Sequence, residues 1–105
     1  MISKISAIAQ PDRLKAIEQR LLEIDVKNYM CFDIKGRGHY ANLYALDGII
    51  KRACIELFIS TDRAKEVAEE IMEVAHTGVE GDGTISIEKI DALFKIGAKS
   101  LCEEI

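Results

Sequence analysis

Two periodicities alternate along this sequence, and their order restricts the fold more than any other feature. Residues 2–9 form an apolar segment that stops just before Pro11, a residue that cannot donate to a β-ladder. From Asp12 onward, apolar residues recur at the spacing of a helix with one buried face. Residues 28–35 then alternate in the period-two manner of a strand. The helical apolar positions are Leu14, Ile17, Leu21 and Ile24.

The second half of the chain repeats this order. Residues 53–59 alternate like a strand, and Ser60–Asp62 supply side chains typical of a helix N-terminus. After that helix and a glycine-rich segment, residues 84–87 form another β-branched strand. The helix carries its apolar residues at Ala64, Val67, Ala68, Ile71 and Ala75. Two strand–helix–strand units predict one α+β domain over 1–105, a ferredoxin-like βαββαβ fold whose four-stranded antiparallel sheet carries both helices on one face.

Two segments remain outside this pattern. Residues 36–50 contain three glycines and a polar stretch too long for a tight turn, so a long loop is expected. The tail after the last strand carries Ile90, Leu93, Phe94 and Leu101, which predict a short helix or an edge strand.

Composition bears on compartment and partners. The 105 residues carry a net charge of −4 with both signs interspersed, so nucleic acid is not an expected partner. The sequence has no apolar run long enough to cross a bilayer and its start lacks the apolar stretch of a signal peptide, so a cytoplasmic protein without membrane insertion is expected. Cys31, Cys54 and Cys102 are too widely spaced to predict a disulfide framework or a CxxC metal site.

The sheet face away from the helices is predicted to be half apolar. A lone domain of this fold leaves that face in water, where it should be uniformly polar. By parity, however, it carries Ile8, Tyr29, Cys31, Cys54 and Phe58 mixed with Lys4, Ser6, Asp33 and Glu56. We therefore expect this face to be buried between the subunits of an oligomer.

The segment from Thr77 to Ile85, Thr-Gly-Val-Glu-Gly-Asp-Gly-Thr-Ile, carries most of the chemical information. Glycines let a backbone approach a ligand closely and let successive N–H groups converge on an anion such as phosphate. A helix C-cap at Gly78 followed by an Asp–Gly turn accounts for the same pattern without a ligand. The pattern alone leaves both interpretations open.

This segment, between a helix and a β-branched strand, resembles the B-loop signature of PII signalling proteins. Residues 9–14 are similar to the family's Ile-x-Pro-x-x-Leu opening, and residues 33–39 to its Glu-Val-Lys-Gly-x-Gly segment. Arg52 to Glu56 resembles the Lys-x-Lys-Ile-Glu start of its third strand. The resemblance covers nearly all of residues 2–97, and the chain is identified as a member of the PII-like superfamily with a shortened T-loop.

The resemblance implies a homotrimer that binds an adenine nucleotide, as a regulatory ligand and not a tightly bound cofactor, in clefts between subunits. A B-loop-like segment (77–84) would hold the phosphates, and the base of a T-loop-like segment (36–50) would close over the nucleoside. A C-loop-like tail (95–105) would reach the phosphates from the neighbouring subunit. The nucleotide-binding residues so implied are Gly36, Arg37, Gly38, Gly81, Asp82, Gly83, Thr84 and Lys95.

The chain departs from the family pattern where positive charge is expected. Thr84 and Val79 stand where the family has lysines, and Gly97 stands where it has an arginine. Each lost cation removes a charge-assisted contact with phosphate. A nucleotide with fewer phosphates, such as ADP, AMP or a cyclic form, is therefore expected to be preferred over ATP. The T-loop also offers no clear match to the glutamine that binds magnesium and 2-oxoglutarate, so 2-oxoglutarate sensing is not expected.

The expected role is signalling, in which the nucleotide changes the ordering of residues 37–50 and hence their docking on an unidentified transporter or enzyme. The residues offer no nucleophile elbow, phosphate-loop lysine or paired catalytic carboxylates, so an enzyme is not predicted. Arg52 aligns with a family lysine near the effector site and is a candidate for a small anion such as bicarbonate, although an ordinary surface arginine fits equally well.

The alternative function is that of a trimeric transition-metal-binding or bicarbonate-responsive protein of the PII-like or CutA-like type. It rests on Cys31 and Cys54, predicted to share one face of adjacent strands, with Cys102, His39 and His76 as further donors. Buried cysteines are more often small hydrophobic residues than ligands, and zinc ligands usually lie closer in sequence.

Overall fold

The computed structural model describes residues 1–37, 49–79 and 81–103. Its elements are β1 (Ile2–Ala9), a 3-10 turn (Pro11–Arg13), α1 (Leu14–Glu23), β2 (Met30–Arg37), β3 (Ile49–Ser60), α2 (Thr61–Ala75), β4 (Gly83–Lys89), β5 (Phe94–Lys95) and β6 (Ser100–Leu101). The first four strands form an antiparallel sheet in the order β2-β3-β1-β4. The predicted ferredoxin-like fold is therefore confirmed.

The core lies between this sheet and the two helices. In the sheet, Ile5 of β1 stands between Leu57 of β3 and Ile87 of β4. From the helices come Ile17, Leu21, Val67 and Ile71, all completely buried. Burial of each such side chain contributes about 1.5–3 kcal/mol. These are the positions that the helical spacing of the sequence predicted.

Both helices begin differently from the prediction. The chain after β1 first makes the 3-10 turn, so α1 starts at Leu14 instead of Asp12. At α2, Ser60 makes no side-chain capping hydrogen bond. The hydroxyl of Thr61 instead hydrogen-bonds that of the fully buried Ser3 at 2.8 Å. The polar groups at the start of α2 thus tie the helix to β1, because a buried hydroxyl without a partner is costly.

The predicted parity of β2 was wrong. Phe32 stands directly opposite Cys54, and Met30 opposite Glu56. Directly opposed residues project to the same side of an antiparallel sheet, so Met30 and Phe32 lie on the face away from the helices. Ile34 lies there too, opposite Arg52.

Tyr29, Cys31 and Asp33 consequently belong to the helix side of the sheet. Tyr29 packs against the core, and Cys31 is opposite Ile55. Cys31 and Cys54 therefore do not share a face, contrary to the expectation behind the metal-binding alternative. The far face remains half apolar, with Phe32 45% and Met30 51% exposed.

The predicted loop is shorter at both ends than 36–50. The β2–β3 ladder continues through the pairs Gly36–Ile50 and Arg37–Ile49. The remaining predicted loop residues, Gly38 included, lie outside the described residues. In the tail, β5 and β6 form a separate hairpin, so the predicted helix or edge strand was wrong. None of the helices in the described residues has the length and apolar character needed to span a membrane.

Candidate functional site

A cavity of about 450 Å³ opens where the end of the β2–β3 ladder meets the glycine-rich segment before β4. It is lined by Ile8, Ile34, Lys35, Gly36, Arg37, Ile50, Arg52, Gly81, Asp82, Gly83 and Thr84. Six of the eight predicted nucleotide-binding residues and the predicted anion-binding Arg52 thus meet at one place. Lys95 does not line this cavity; it is exposed in β5.

The cavity lies on the face of the sheet away from the helices. Ile34, Gly36 and Thr84 share this face, because they stand opposite Arg52, Ile50 and Ile8 respectively. Lys35 and Arg37 alternate with these positions, so their side chains project toward the helix side. Among the lining cations, Arg52 is therefore the one whose side chain belongs to the cavity face.

The segment before β4, which we call the glycine loop (Thr77 to Gly83, with residue 80 outside the described residues), is closed by its own side chains. The Asp82 carboxylate accepts hydrogen bonds from the Thr77 hydroxyl and, at 2.9 Å, from the Thr77 backbone N–H. The Thr77 hydroxyl oxygen also accepts from the Val79 N–H at 3.2 Å. The two hydrogen bonds from Thr77 lower the pKa of Asp82. Asp82 is thus a loop-closing carboxylate, as its Asp–Gly context indicated.

Glycine is required at Gly83 for a reason internal to the fold. Gly83 has a φ of 119°, and a Cβ at this position would lie 1.8 Å from the Ile8 carbonyl oxygen. No L side chain fits this approach of β4 to β1. Gly81, with a φ of 90°, also has backbone geometry that favours glycine.

The Gly81 carbonyl accepts two hydrogen bonds from outside the loop. One comes from Gln10 Nε2 at 3.1 Å and the other from Arg52 Nη2 at 3.0 Å. Arg52 Nη1 also donates to the Lys51 carbonyl oxygen at 2.8 Å. Sequence reasoning missed Gln10, because a single glutamine before a proline carries no motif; its proximity appears only once β1 and β3 are paired.

The electrostatics of the cavity favour an anion. Arg52 forms no ion pair with a carboxylate of the described chain. The lining carboxylate, Asp82, is already engaged by Thr77 and lies 3.5 Å from His76 Nδ1. Ile8, Ile34 and Ile50 add apolar surface suited to a flat, weakly polar group. The arrangement fits a ligand with one apolar part and one anionic part.

A second cavity, of about 530 Å³, lies on the helix side between the end of α2 and β4. It shares Ile8, Asp82, Gly83 and Thr84 with the first, but its other charged or titratable residues are Glu69, Glu73 and His76. Its lining therefore has three carboxylates and no lysine or arginine, which makes it unsuitable for phosphate. The Arg52 cavity is therefore the candidate anion site.

The cysteines do not assemble a site. Burial raises the pKa of the Cys54 thiol, whereas Cys31 is exposed on the opposite face and Cys102 is buried in the tail. Across residues 1–37, 49–79 and 81–103, no group of three or more His, Cys, Asp and Glu side chains is placed to hold a metal ion.

The fold and this cavity define a ferredoxin-like α+β domain with an anion-suited cleft at one end of its sheet. Residues 2–99 match the family model described as Nitrogen regulatory protein P-II. The chain belongs to this family, as the sequence indicated, and the shortened T-loop stays a prediction.

Individual relatives agree. The chain is 28% identical over 108 residues to Nitrogen regulatory protein P-II of Pyropia yezoensis, covering 95% of this chain and 96% of the relative. It is 28% identical over 101 residues to the Nitrogen regulatory protein P-II homolog of Oryza sativa subsp. japonica, covering 89% of this chain and 48% of the relative. The chain spans about half the length of that rice protein and of its Arabidopsis thaliana counterpart, of which 52% is covered.

A solved structure supports the fold. The crystal structure of Arabidopsis thaliana PII bound to citrate superposes with a TM-score of 0.81 at 24% identity, covering 97% of this chain and 89% of that one.

Proposed function

We propose that this chain is a regulatory protein, without enzymatic activity of its own, that binds an adenine nucleotide in the Arg52 cavity. The observation that carries the proposal is the meeting of the glycine loop, the end of the β2–β3 ladder and Arg52 around one cavity. The apolar isoleucines would receive the base and nucleoside, and the glycine loop with Arg52 would receive the phosphates.

The proposed assembly is a homotrimer in which a neighbouring subunit completes each site. The cavity opens on the same face as Met30 and Phe32, which leave about half of their surface exposed in one chain. A subunit packed on this face would cover the apolar patch and close the cavity. Lys95, exposed on the β5–β6 hairpin, would then approach the phosphates of its neighbour.

The proposed ligand is ADP, AMP or a similar nucleotide in preference to ATP. Thr84 lines the cavity with a hydroxyl group, and Val79 adds no charge to the loop. Arg52 is the cation on the cavity face, so one or two phosphates satisfy the available charge better than three.

The regulatory step is proposed to run through the β2–β3 ladder. Arg37 and Ile50, at the last rungs before the segment 38–48, line the cavity. A ligand that contacts these rungs can bind two arrangements of that segment with different affinity, and this difference is what a signal to a target protein requires. The proposed target is a membrane transporter or an enzyme.

Calorimetry of the full chain with AMP, ADP and ATP tests the proposal, with GMP as a base control. Binding of AMP or ADP at an affinity at least equal to that of ATP is expected. At about 100 times the dissociation constant, the ligand should add about 2.7 kcal/mol to the stability of the chain. Absence of heat with all three adenine nucleotides would refute the proposal.

One alternative ligand has its own support. The Arg52 guanidinium pairs with carbonyl oxygens and no carboxylate in the described chain, which also suits bicarbonate or a small carboxylate. A bicarbonate titration at constant pH and ionic strength, with chloride as the control, distinguishes this ligand from a nucleotide.

A further inference from the structure

We propose that Gln10 and Arg52 are positioning residues that hold the glycine loop in its ligand-ready conformation through the Gly81 carbonyl. This inference rests on the proposed function, which it deepens by naming residues that prepare the site before the ligand arrives. It adds Gln10, a residue outside the cavity lining, to the machinery of the site.

The two donors to the Gly81 carbonyl lie at neighbouring strands of the sheet. Gln10 follows β1 directly, and Arg52 lies in β3, the next strand of the sheet. Their nitrogen atoms reach the same Gly81 oxygen at 3.1 and 3.0 Å. A carbonyl oxygen has two lone pairs, so both donors can be accommodated. The sheet thus holds this carbonyl from two adjacent strands.

The loop's own hydrogen bonds do not supply this attachment. The contacts between Thr77, Val79 and Asp82 close the loop on itself. They fix its internal shape but not its placement over the sheet. Among the described residues, the Gly81 hydrogen bonds from Gln10 and Arg52 are the side-chain contacts that join the middle of the loop to the sheet.

The two donors also change the electrostatics of the site. A carbonyl oxygen beside an anion site carries a partial negative charge, which repels an anionic ligand. Two donors on the Gly81 oxygen offset that charge, and one of them is a cation. A guanidinium has five N–H donors, and Arg52 uses some of them to bind the carbonyl oxygens of Lys51 and Gly81. The remaining donors can contact an anion at the same time.

The expected consequence is preorganisation. A loop fixed before binding loses less conformational freedom when the ligand arrives, and this raises the affinity. Gln10 contributes through loop placement alone, whereas Arg52 contributes through loop placement and charge. Because both act on one oxygen, their effects on the loop should not be additive.

The test compares Gln10→Met, Arg52→Met, Arg52→Lys and the double variant Gln10→Met/Arg52→Met in the full chain. Lys51→Met is the matched control, because it removes the same charge from the neighbouring position on the opposite face of β3. Hydrogen exchange of the amides of residues 77–83 is measured without ligand, and calorimetry is performed with AMP and with adenosine, which lacks the phosphate.

Exchange of the loop amides should rise about 2- to 10-fold in Gln10→Met and in both Arg52 variants, and remain unchanged in Lys51→Met. In the double variant, the factor by which amide exchange rises should be smaller than the product of the factors in Gln10→Met and Arg52→Met. AMP affinity should fall about 10-fold or more in Arg52→Met and less in Arg52→Lys, which retains the charge. Adenosine lacks the phosphate that the glycine loop and Arg52 are proposed to contact, so its affinity should stay unchanged in Gln10→Met, Arg52→Met and Arg52→Lys.

Exchange in Gln10→Met and Arg52→Met equal to that of the wild type would overturn the proposal. If the wild-type chain binds no adenine nucleotide while the exchange pattern appears as expected, the proposed ligand is wrong and the positioning role stands. If the wild type binds AMP and the exchange pattern is absent, the positioning role is wrong and the proposed function stands.

Discussion

Asp82 and Thr77 bind each other twice, since the Asp82 carboxylate accepts from both the backbone N–H and the hydroxyl of Thr77. These bonds are made by the ionised carboxylate, which is why they lower the pKa of Asp82. The folded-state pKa lies below the value in the unfolded chain, about 3.9. The stabilisation is therefore present above that value and is lost as the pH falls through the folded pKa.

The loop should accordingly keep one structure from neutral pH down to about pH 4 and loosen below it. The chemical shift of the Thr77 amide proton, followed by NMR during an acid titration, measures this. Asp82→Asn supplies the control, because its amide oxygen accepts hydrogen bonds but does not titrate. A midpoint for Asp82 above that of an unstructured aspartate would contradict the prediction.

Gly83→Ala should destabilise the fold strongly. The new Cβ would meet the Ile8 carbonyl oxygen at 1.8 Å, and the φ of 119° is strained for alanine. The free energy of unfolding should fall by about 3 kcal/mol or more in urea denaturation. Gly36→Ala is the matched control, because open space surrounds a Cβ there; its effect should stay within about 1 kcal/mol. Equal effects of the two substitutions would show that β4 can move away from β1.

Thr84→Lys should increase the affinity for ATP more than that for AMP. The residue lines the cavity, so an ammonium group there can contact a phosphate. A charge-assisted hydrogen bond corresponds to a gain of about 10-fold or more in ATP affinity by calorimetry. Ser86→Lys places the same charge on the same face one alternation further along β4, outside the cavity lining, and should change neither affinity by a comparable factor. An equal gain in both variants would indicate general attraction of charge instead of a local contact.

Phe32→Asp should disrupt the proposed trimer. Phe32 is 45% exposed on the far face of one chain, and a carboxylate buried against a neighbour is strongly unfavourable. Light scattering coupled to size exclusion should give about three times 11.7 kDa for the wild type and a smaller mass for the variant. Leu22→Asp, on the helix side where Leu22 is 63% exposed, should leave the mass unchanged. A wild-type mass of one chain would contradict the trimer itself.

Tyr29 should ionise at a higher pH than an ordinary tyrosine. Its hydroxyl donates to the Glu18 carboxylate, and this hydrogen bond, together with burial, raises the pKa of Tyr29 to about 12. The raised pKa means that the stabilisation is complete below the unfolded value of about 10 and is lost as the pH rises toward 12. The ultraviolet absorbance of tyrosinate, compared between the wild type and Tyr29→Phe, isolates this group. In Glu18→Gln the Tyr29 midpoint should move back toward 10.

The sequence predicted those parts of the fold that have one apolar face. Ile17 and Leu21, like Val67 and Ile71, recur at a spacing that only one helix face satisfies. The parity of the predicted strand 28–35 was missed because both of its alternating sets contain large side chains, for example Tyr29 and Phe32. For an edge strand of this kind, the pairing with β3 decides the faces, and no local pattern encodes that pairing.

The cavity was predictable to the extent that a motif carries it. The glycine loop and the residues around Gly36 were identified by resemblance, and both line the cavity. The contacts of Gly81 with Gln10 and Arg52 were not predictable, because they join three segments that become neighbours only in the folded sheet. The requirement for glycine at Gly83 was also not predictable, because it comes from the close contact with the Ile8 backbone carbonyl in the folded chain.

The pairing of Gly83 with Ala9 has a consequence for how sequences of this kind can diverge. Side chains alternate across a strand, so adding or deleting one residue after Gly83 would move Ile85 and Ile87 from the helix side of the sheet to the opposite face. A change of length between Thr77 and Gly81 would shift no strand, but it would separate Thr77 from the Asp82 carboxylate that it binds. Natural homologues should therefore keep one length from Thr77 to the end of β4 and vary in length elsewhere.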